Sequence, residues 1–170
     1  MSEQPDKLFE DMYFYEMSMV TFLDGVGFYG PILILIIVMY ALLQQTKYMW
    51  VYFIGGILNI YINRYLKLLF LEERPKNPIL FSKYEKYKNA DIFGMPSGHA
   101  SYVGFSIVYL LLVKANSIWL PLCIFIGLLT LYQRVKYRRH TEEQVFMGII
   151  TGGVYGWIVY SLATQWILWL

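Results

Sequence analysis

The chain has 170 residues, of which 58% are hydrophobic, 19% aromatic and 15% charged, with a formal net charge of +2. That length fits one domain, and the apolar excess is more than the core of a water-soluble domain of this size absorbs. The small net charge leaves no electrostatic footprint for nucleic acid, and a single cysteine, Cys123, excludes an internal disulfide framework.

In chain order, the opening stretch MSEQPDKLFEDMYFYEM mixes Leu8, Phe9, Tyr13, Phe14 and Met17 with acids. It lacks the basic start of a signal peptide and predicts an interfacial helix over residues 1–24. A helix needs about 20 apolar residues to cross a hydrocarbon core. Gly25–Leu43 and Tyr48–Leu71 reach that length, the second with polar interruptions. Ser101–Val113 and Ser117–Tyr132 are shorter and are joined through KANS, and Val145–Leu170 closes the chain. These runs are too long and continuous for barrel strands. The expected fold is an all-α integral membrane protein, a single domain over residues 1–170 with about five to six transmembrane helices.

Two polar stretches interrupt the apolar runs, Glu72–His99 and Gln133–Gly148. Counting spans brings both to one membrane face together with the N-terminus, while Lys47, Lys114 and the C-terminus lie opposite. Titratable residues thus converge at one face, where an active site is expected.

Asn59, Asn63 and Lys67 repeat every four residues, a polar stripe that should face the bundle interior. Lys67 and Arg74 share a helix face if the helix continues to Pro75, and Pro75 places its end near Arg74. The plainer alternative is that both cations snorkel to head groups. In GMPSGHAS, Pro96 and Ser97 lead into an apolar helix through Gly98 and His99. The unpaired N–H groups of a helix start suit a phosphate, Ser97 adds a hydroxyl, and Gly98 permits close approach. Here the alternative is an ordinary Ser97 cap with an incidental histidine. In RVKYRRH, Arg134 offers forked hydrogen bonds to phosphate oxygens, and His140 follows six residues later. Lys136, Arg138 and Arg139 fit a solvated basic patch facing anionic lipid. Gly152, Gly153 and Gly156 read as packing glycines, with room for a lipid chain as the alternative.

Together KLLFLEERP (Lys67–Pro75), PSGH (Pro96–His99) and RVKYRRH (Arg134–His140) resemble, in order, the three-part signature of the type 2 phosphatidic acid phosphatase superfamily. The active-site segments are accordingly 67–75, 96–99 and 134–144. The resemblance implies metal-independent phosphoryl transfer through a phosphohistidine, with no cofactor. His140 would be the nucleophile and His99 the general acid and base. Lys67, Arg74, Ser97, Gly98 and Arg134 would hold phosphate oxygens. The chain has no Asp, His or Cys cluster with metal-ligand spacing.

The family commonly has an Asp four residues after the nucleophilic histidine and a Ser before the arginine; this chain has Gln144 and Gln133. Gln144 or Glu143 would then orient His140. HTEEQVFMGIITGG and FGMPSGHAS are similar to the dolichyl diphosphatase branch, which implies cleavage of a polyprenyl diphosphate to the monophosphate. Phosphatidic acid and other lipid phosphates are the alternative substrates, and an inactive lipid-phosphate-binding protein is the alternative class. The implied partners are that lipid and the bilayer, with no obligatory protein partner. The implied location is the endoplasmic reticulum membrane in a eukaryote, otherwise the cell membrane. The positive-inside pattern points to a cytoplasmic site and the branch resemblance to a lumenal one, so the side stays open.

Overall fold

The computed structural model describes residues 22–79, 81, 92–114 and 118–168, with side chains described to Gln165. The interfacial helix expected before Gly25 therefore lies outside the described residues up to Thr21, as do Ala115–Ser117 of the KANS turn and Lys83, Lys86 and Lys88. Among the described residues the chain is all-helical, with six helices and one isolated β-bridge between Glu73 and Phe93. The helices are α1 (Phe22–Phe28), α2 (Gly30–Ala41), α3 (Thr46–Phe70), α4 (Gly98–Val113), α5 (Trp119–Lys136) and α6 (Glu142–Leu168).

The first apolar run is not one straight helix. α1 and α2 meet at 70° around Tyr29. Pro31, in the first turn of α2, lacks an N–H, and its ring would strike the carbonyl four residues back in a continuous helix. The bend seats both pieces on α5, with Gly27 against the Leu129 carbonyl and Gly30 against the Thr130 side chain. Across the same contact Lys136 Nζ pairs with the buried Asp24 carboxylate at 2.8 Å.

By length and composition one helix, Glu142–Gln165, is apolar enough to cross a membrane, or two if the bent α1–α2 pair is one span. The count falls short of about five because α4 is short and α3 and α5 carry charged and amide side chains. Their placement is informative. α3 buries Asn59 and Asn63, 3% and 5% exposed, while Ile57, Leu58, Ile60, Tyr61, Tyr65 and Leu68 point outward. This arrangement inverts the amphipathic pattern of a helix on a water-soluble protein.

The core is aromatic, with Tyr52 stacked on Phe105 at 5.1 Å and Tyr102, Tyr109 and Tyr155 around it. Three of its hydroxyls are satisfied internally. Tyr52 shares a hydrogen bond with Ser106 at 2.8 Å, Tyr109 donates to the Tyr48 carbonyl and Tyr155 to the Gly55 carbonyl. The most extensive contact joins α4 to α6, which run parallel. Gly148, Gly152 and Gly156 lie successively against Ser97, Ser101 and Phe105, all backbone-to-backbone approaches that a Cβ would block. Gly153 differs: a Cβ there would make only ordinary contact with Val108. The parallel pairing brings the N-termini of α4 and α6 to the same end as the C-termini of α3 and α5.

Candidate active site

Each of the three motif segments is delivered by a helix end. α3 stops at Phe70, four residues before Arg74, with Leu71 left-handed at φ 51°. Arg74 thus leaves the shared helix face expected with Lys67 and rides instead on an extended segment. Glu73 bridges to Phe93 there, the Arg74 N–H donates to the Ile92 carbonyl and the Gly94 N–H to the Glu72 carbonyl at 2.7 Å. Lys67 still reaches the same place, its Nζ 3.0 Å from the Phe93 carbonyl.

Ser97 occupies the cap position of α4 but makes no capping hydrogen bond, and its buried Oγ has no hydrogen-bond partner. A buried hydroxyl in that state costs on the order of 1–3 kcal/mol, which a bound oxyanion would recover. Asn63 Nδ2 faces the Pro96 carbonyl at 3.4 Å, and a Cβ on Gly98 would crowd Asn63. The first turn of α4 is thereby fixed to α3.

The spacing between Arg134 and His140 has a backbone cause. α5 ends in a Schellman motif: Arg139 N–H donates to the Arg134 carbonyl at 2.9 Å, Arg138 N–H to Val135, and Arg138 takes the left-handed position at φ 50°. His140 N–H also reaches the Arg134 carbonyl. The turn buries both ends of the motif and leaves Arg138 on the surface. The Arg134 side chain is buried too, its Nε donating to Gln133 Oε1 at 2.7 Å and its guanidinium 5.3 Å from the Phe28 ring.

α6 opens with a capping box. Thr141 Oγ1 accepts the Gln144 N–H, and Gln144 Oε1 accepts the Thr141 N–H. The same Oε1 lies 3.2 Å from His140 Nδ1. Gln144 Nε2 donates to Glu72 Oε1 at 2.8 Å and to the Glu73 carbonyl at 2.7 Å, and the Gln144 carbonyl accepts the Ser97 N–H. Glu143, the other candidate partner of His140, is exposed. Because the two Nε2 hydrogens have two acceptors, Oε1 must face His140, so Nδ1 carries the ring proton and Nε2 the lone pair. Arg74 Nη1 sits 3.3 Å from that Nε2 and donates to the Arg139 carbonyl at 3.1 Å. Burial, then the charges of Arg74, Lys67 and Arg134, hold the His140 imidazole well below its ordinary titration range; the Gln144 hydrogen bond opposes them. His140 is neutral at pH 7.

A cleft of about 990 Å3 is lined at one end by Lys67, Arg74, Arg139, Asn63, Gly98 and His99, and Arg64 adds a further cation. His99, half-buried at the start of α4, lies within electrostatic reach of Arg134, His140, Arg139 and Arg74. Leu35 from α2 and Ile57 and Ile60 from α3 also line the cleft, so apolar wall accompanies its cations. Two helix N-termini add positive dipole ends to the cationic side chains. Arg139, assigned from sequence to a solvated patch, is buried and belongs to the cleft wall; Lys136 is bound to Asp24. Glu72 is the other residue that sequence reasoning passed over, its only signal being its place two residues before Arg74.

A model of the PAP2 superfamily matches residues 44–167, which cover all three motif segments. The chain belongs to that superfamily. Among curated PAP2-like relatives, lipid phosphate phosphatase gamma of Arabidopsis thaliana is 27% identical over 121 residues, 62% of this chain and 51% of its own length. Dolichyldiphosphatase of Saccharomyces cerevisiae is 31% identical over 123 residues, 62% of this chain and 49% of its own length. The chain spans about half the length of both relatives. No solved structure matches this PAP2 chain.

Proposed function

We propose that this chain is a metal-independent lipid phosphatase that cleaves a polyprenyl diphosphate to the monophosphate and inorganic phosphate through a phosphohistidine. The observation that carries this proposal is the held imidazole: His140 is neutral, its Nδ1 proton engaged by Gln144 and its Nε2 lone pair beside Arg74. The Nε2 lone pair attacks the terminal phosphorus in line, forming the P–N bond as the bond to the leaving phosphate oxygen breaks. His99, protonated once the anionic diphosphate sits beside it, gives that oxygen its proton. His99 then takes a proton from the water that breaks the P–N bond and releases phosphate. Lys67, Arg74 and Arg134, with the Ser97 hydroxyl and the Gly98 N–H, hold the equatorial oxygens. Such charge stabilisation supplies most of the catalysis in phosphoryl transfer.

The lipid substrate and the multi-pass membrane setting are supported by the outward apolar face of α3 and by the apolar wall that accompanies the cations of the cleft. A diphosphate head group is supported by Arg64 and Arg139, two cations in the cleft beyond the family signature, and by the likeness to dolichyldiphosphatase. The likeness to a lipid phosphate phosphatase favours a single-phosphate lipid as the second candidate. The expected location is the endoplasmic reticulum membrane in a eukaryote, otherwise the cell membrane.

The test is phosphate release by purified protein in detergent with a chelator present. Polyprenyl diphosphates, polyprenyl monophosphates, phosphatidic acid and phosphatidylglycerol phosphate are assayed side by side. Farnesyl diphosphate should be the better substrate over phosphatidic acid, and His140→Ala should lose at least about a thousandfold in kcat. Full turnover by His140→Ala would remove the nucleophile assignment, and a chelator-sensitive reaction would remove the metal-independent one.

A further inference from the structure

We infer that Glu72 is a positioning residue for His140, supplying through the Gln144 amide the carboxylate charge that this chain lacks at position 144. The inference rests on the proposal that His140 is the nucleophile.

Gln144 is fully buried, and both sides of its amide are committed. Nε2 donates to Glu72 Oε1 and the Glu73 carbonyl, while Oε1 receives the Thr141 N–H and faces His140 Nδ1. Rotating the amide by half a turn would set its N–H groups against the Thr141 N–H and its oxygen against two acceptors. The orientation is therefore fixed by its neighbours. A hydrogen bond to an ionised acceptor is roughly twice as strong as one between neutral groups, and it polarises the amide along the chain His140–Gln144–Glu72. The oxygen facing Nδ1 becomes a better acceptor. That gain is largest when phosphorylation at Nε2 makes the ring cationic.

Geometry around Glu72 serves the same contact. Its carbonyl holds the Gly94 N–H at 2.7 Å, and Gly94 lies directly against the Gln144 amide, where a Cβ would collide with Oε1. Glutamine is one methylene longer than aspartate. The bare Gly94 backbone gives that longer side chain its space, and Glu72 returns the charge.

The decisive variant is Glu72→Gln, which keeps an acceptor for Gln144 Nε2 and removes only the charge. We expect kcat and the rate of phosphoenzyme formation to fall by about tenfold with KM unchanged, the size of one charge-assisted hydrogen bond. Gln144→Glu alone sets two carboxylates against each other at a 2.8 Å contact and should be worse than Glu72→Gln. Combined with Glu72→Gln it should recover activity over Gln144→Glu alone, because the introduced amide can donate to the introduced carboxylate. A readout independent of turnover is the ring nitrogen and Nδ1 proton resonances of the two histidines in 15N-histidine-labelled protein. Glu72→Gln should move the His140 Nδ1 proton upfield as its hydrogen bond weakens. If the wild type is inactive but this resonance moves, the relay stands and the phosphatase proposal fails. If the wild type turns over while Glu72→Gln changes neither kcat nor the resonance, or if the costs of the two substitutions simply multiply, the relay is overturned.

Discussion

At His140 two demands meet, since a nucleophile must be unprotonated and a phosphate site must be positive. The cations proposed to bind phosphate also suppress protonation of the buried ring, so under that proposal one set of charges serves both ends. The consequence for pH has a definite sign. Because the folded-state titration of His140 lies below the ordinary imidazole value of about 6.5, the acid limb of kcat/KM set by this group should fall well below that value. Arg74→Gln removes a cation beside Nε2, so protonation becomes easier and the acid limb should move to higher pH, with kcat/KM lowered throughout. Profiles of both proteins on one substrate check this; an unmoved limb would mean that another group governs it. His140 and its two candidate partners, Glu143 and Gln144, were legible in the sequence from their spacing, and the structure gives the hydrogen bond to Gln144. Glu72 and Arg139 were not. The contact between Gln144 and Glu72 joins residues 72 apart, and Arg139 turns inward only because the Schellman motif reverses the chain after Tyr137.

Among the elements, the parallel α4–α6 pair positions the end that carries the candidate site. The first contact of the glycine row, Gly148 on Ser97, lies at the start of PSGH, and the Ser97 N–H to Gln144 carbonyl bond closes the same corner. Wedging the pair apart further along should disturb that corner. Gly152→Leu is expected to cost at least about 3 kcal/mol, the upper end for overpacking, because its side chain has only the Ser101 backbone to enter. Gly153→Ala, one position on, should change little, because its Cβ meets Val108 at 3.4 Å. Thermal denaturation of both variants in the same detergent separates them, and equal losses would refute the assignment of the packing face. The glycines were visible in the sequence, but the face was not: Gly148 was missing from the row, and Gly153 packs at its margin, beside Gly104 and Val108. Period alone cannot place a helix against a partner whose own register is unknown. The bend at Tyr29 escaped for a related reason, since Pro31 reads equally as the start of one helix or a break within a longer one.

At the scale of the molecule, the described residues bury Asn59, Asn63, Gln133, Arg134, Arg139 and Gln144 beside an aromatic core, and leave many leucines, isoleucines and aromatics facing outward. Composition announced this inversion before any motif did, and the all-helical architecture followed from it; the number of membrane crossings did not, because helices carrying site residues lose the uniform hydropathy by which spans are counted. Ile57 lines the cleft and is itself exposed, so Ile57→Trp should raise KM for a long-chain polyprenyl diphosphate and leave a short-chain one unaffected. Steady-state kinetics on a chain-length series check this, and a uniform effect across the series would refute a groove for the tail. Under the proposed function, a cleft lined by the outward-facing Ile57 would receive its substrate sideways, from a two-dimensional solution. The concentration that saturates such an enzyme would be a mole fraction of lipid: diluting the substrate with inert lipid should slow it, and adding water should not.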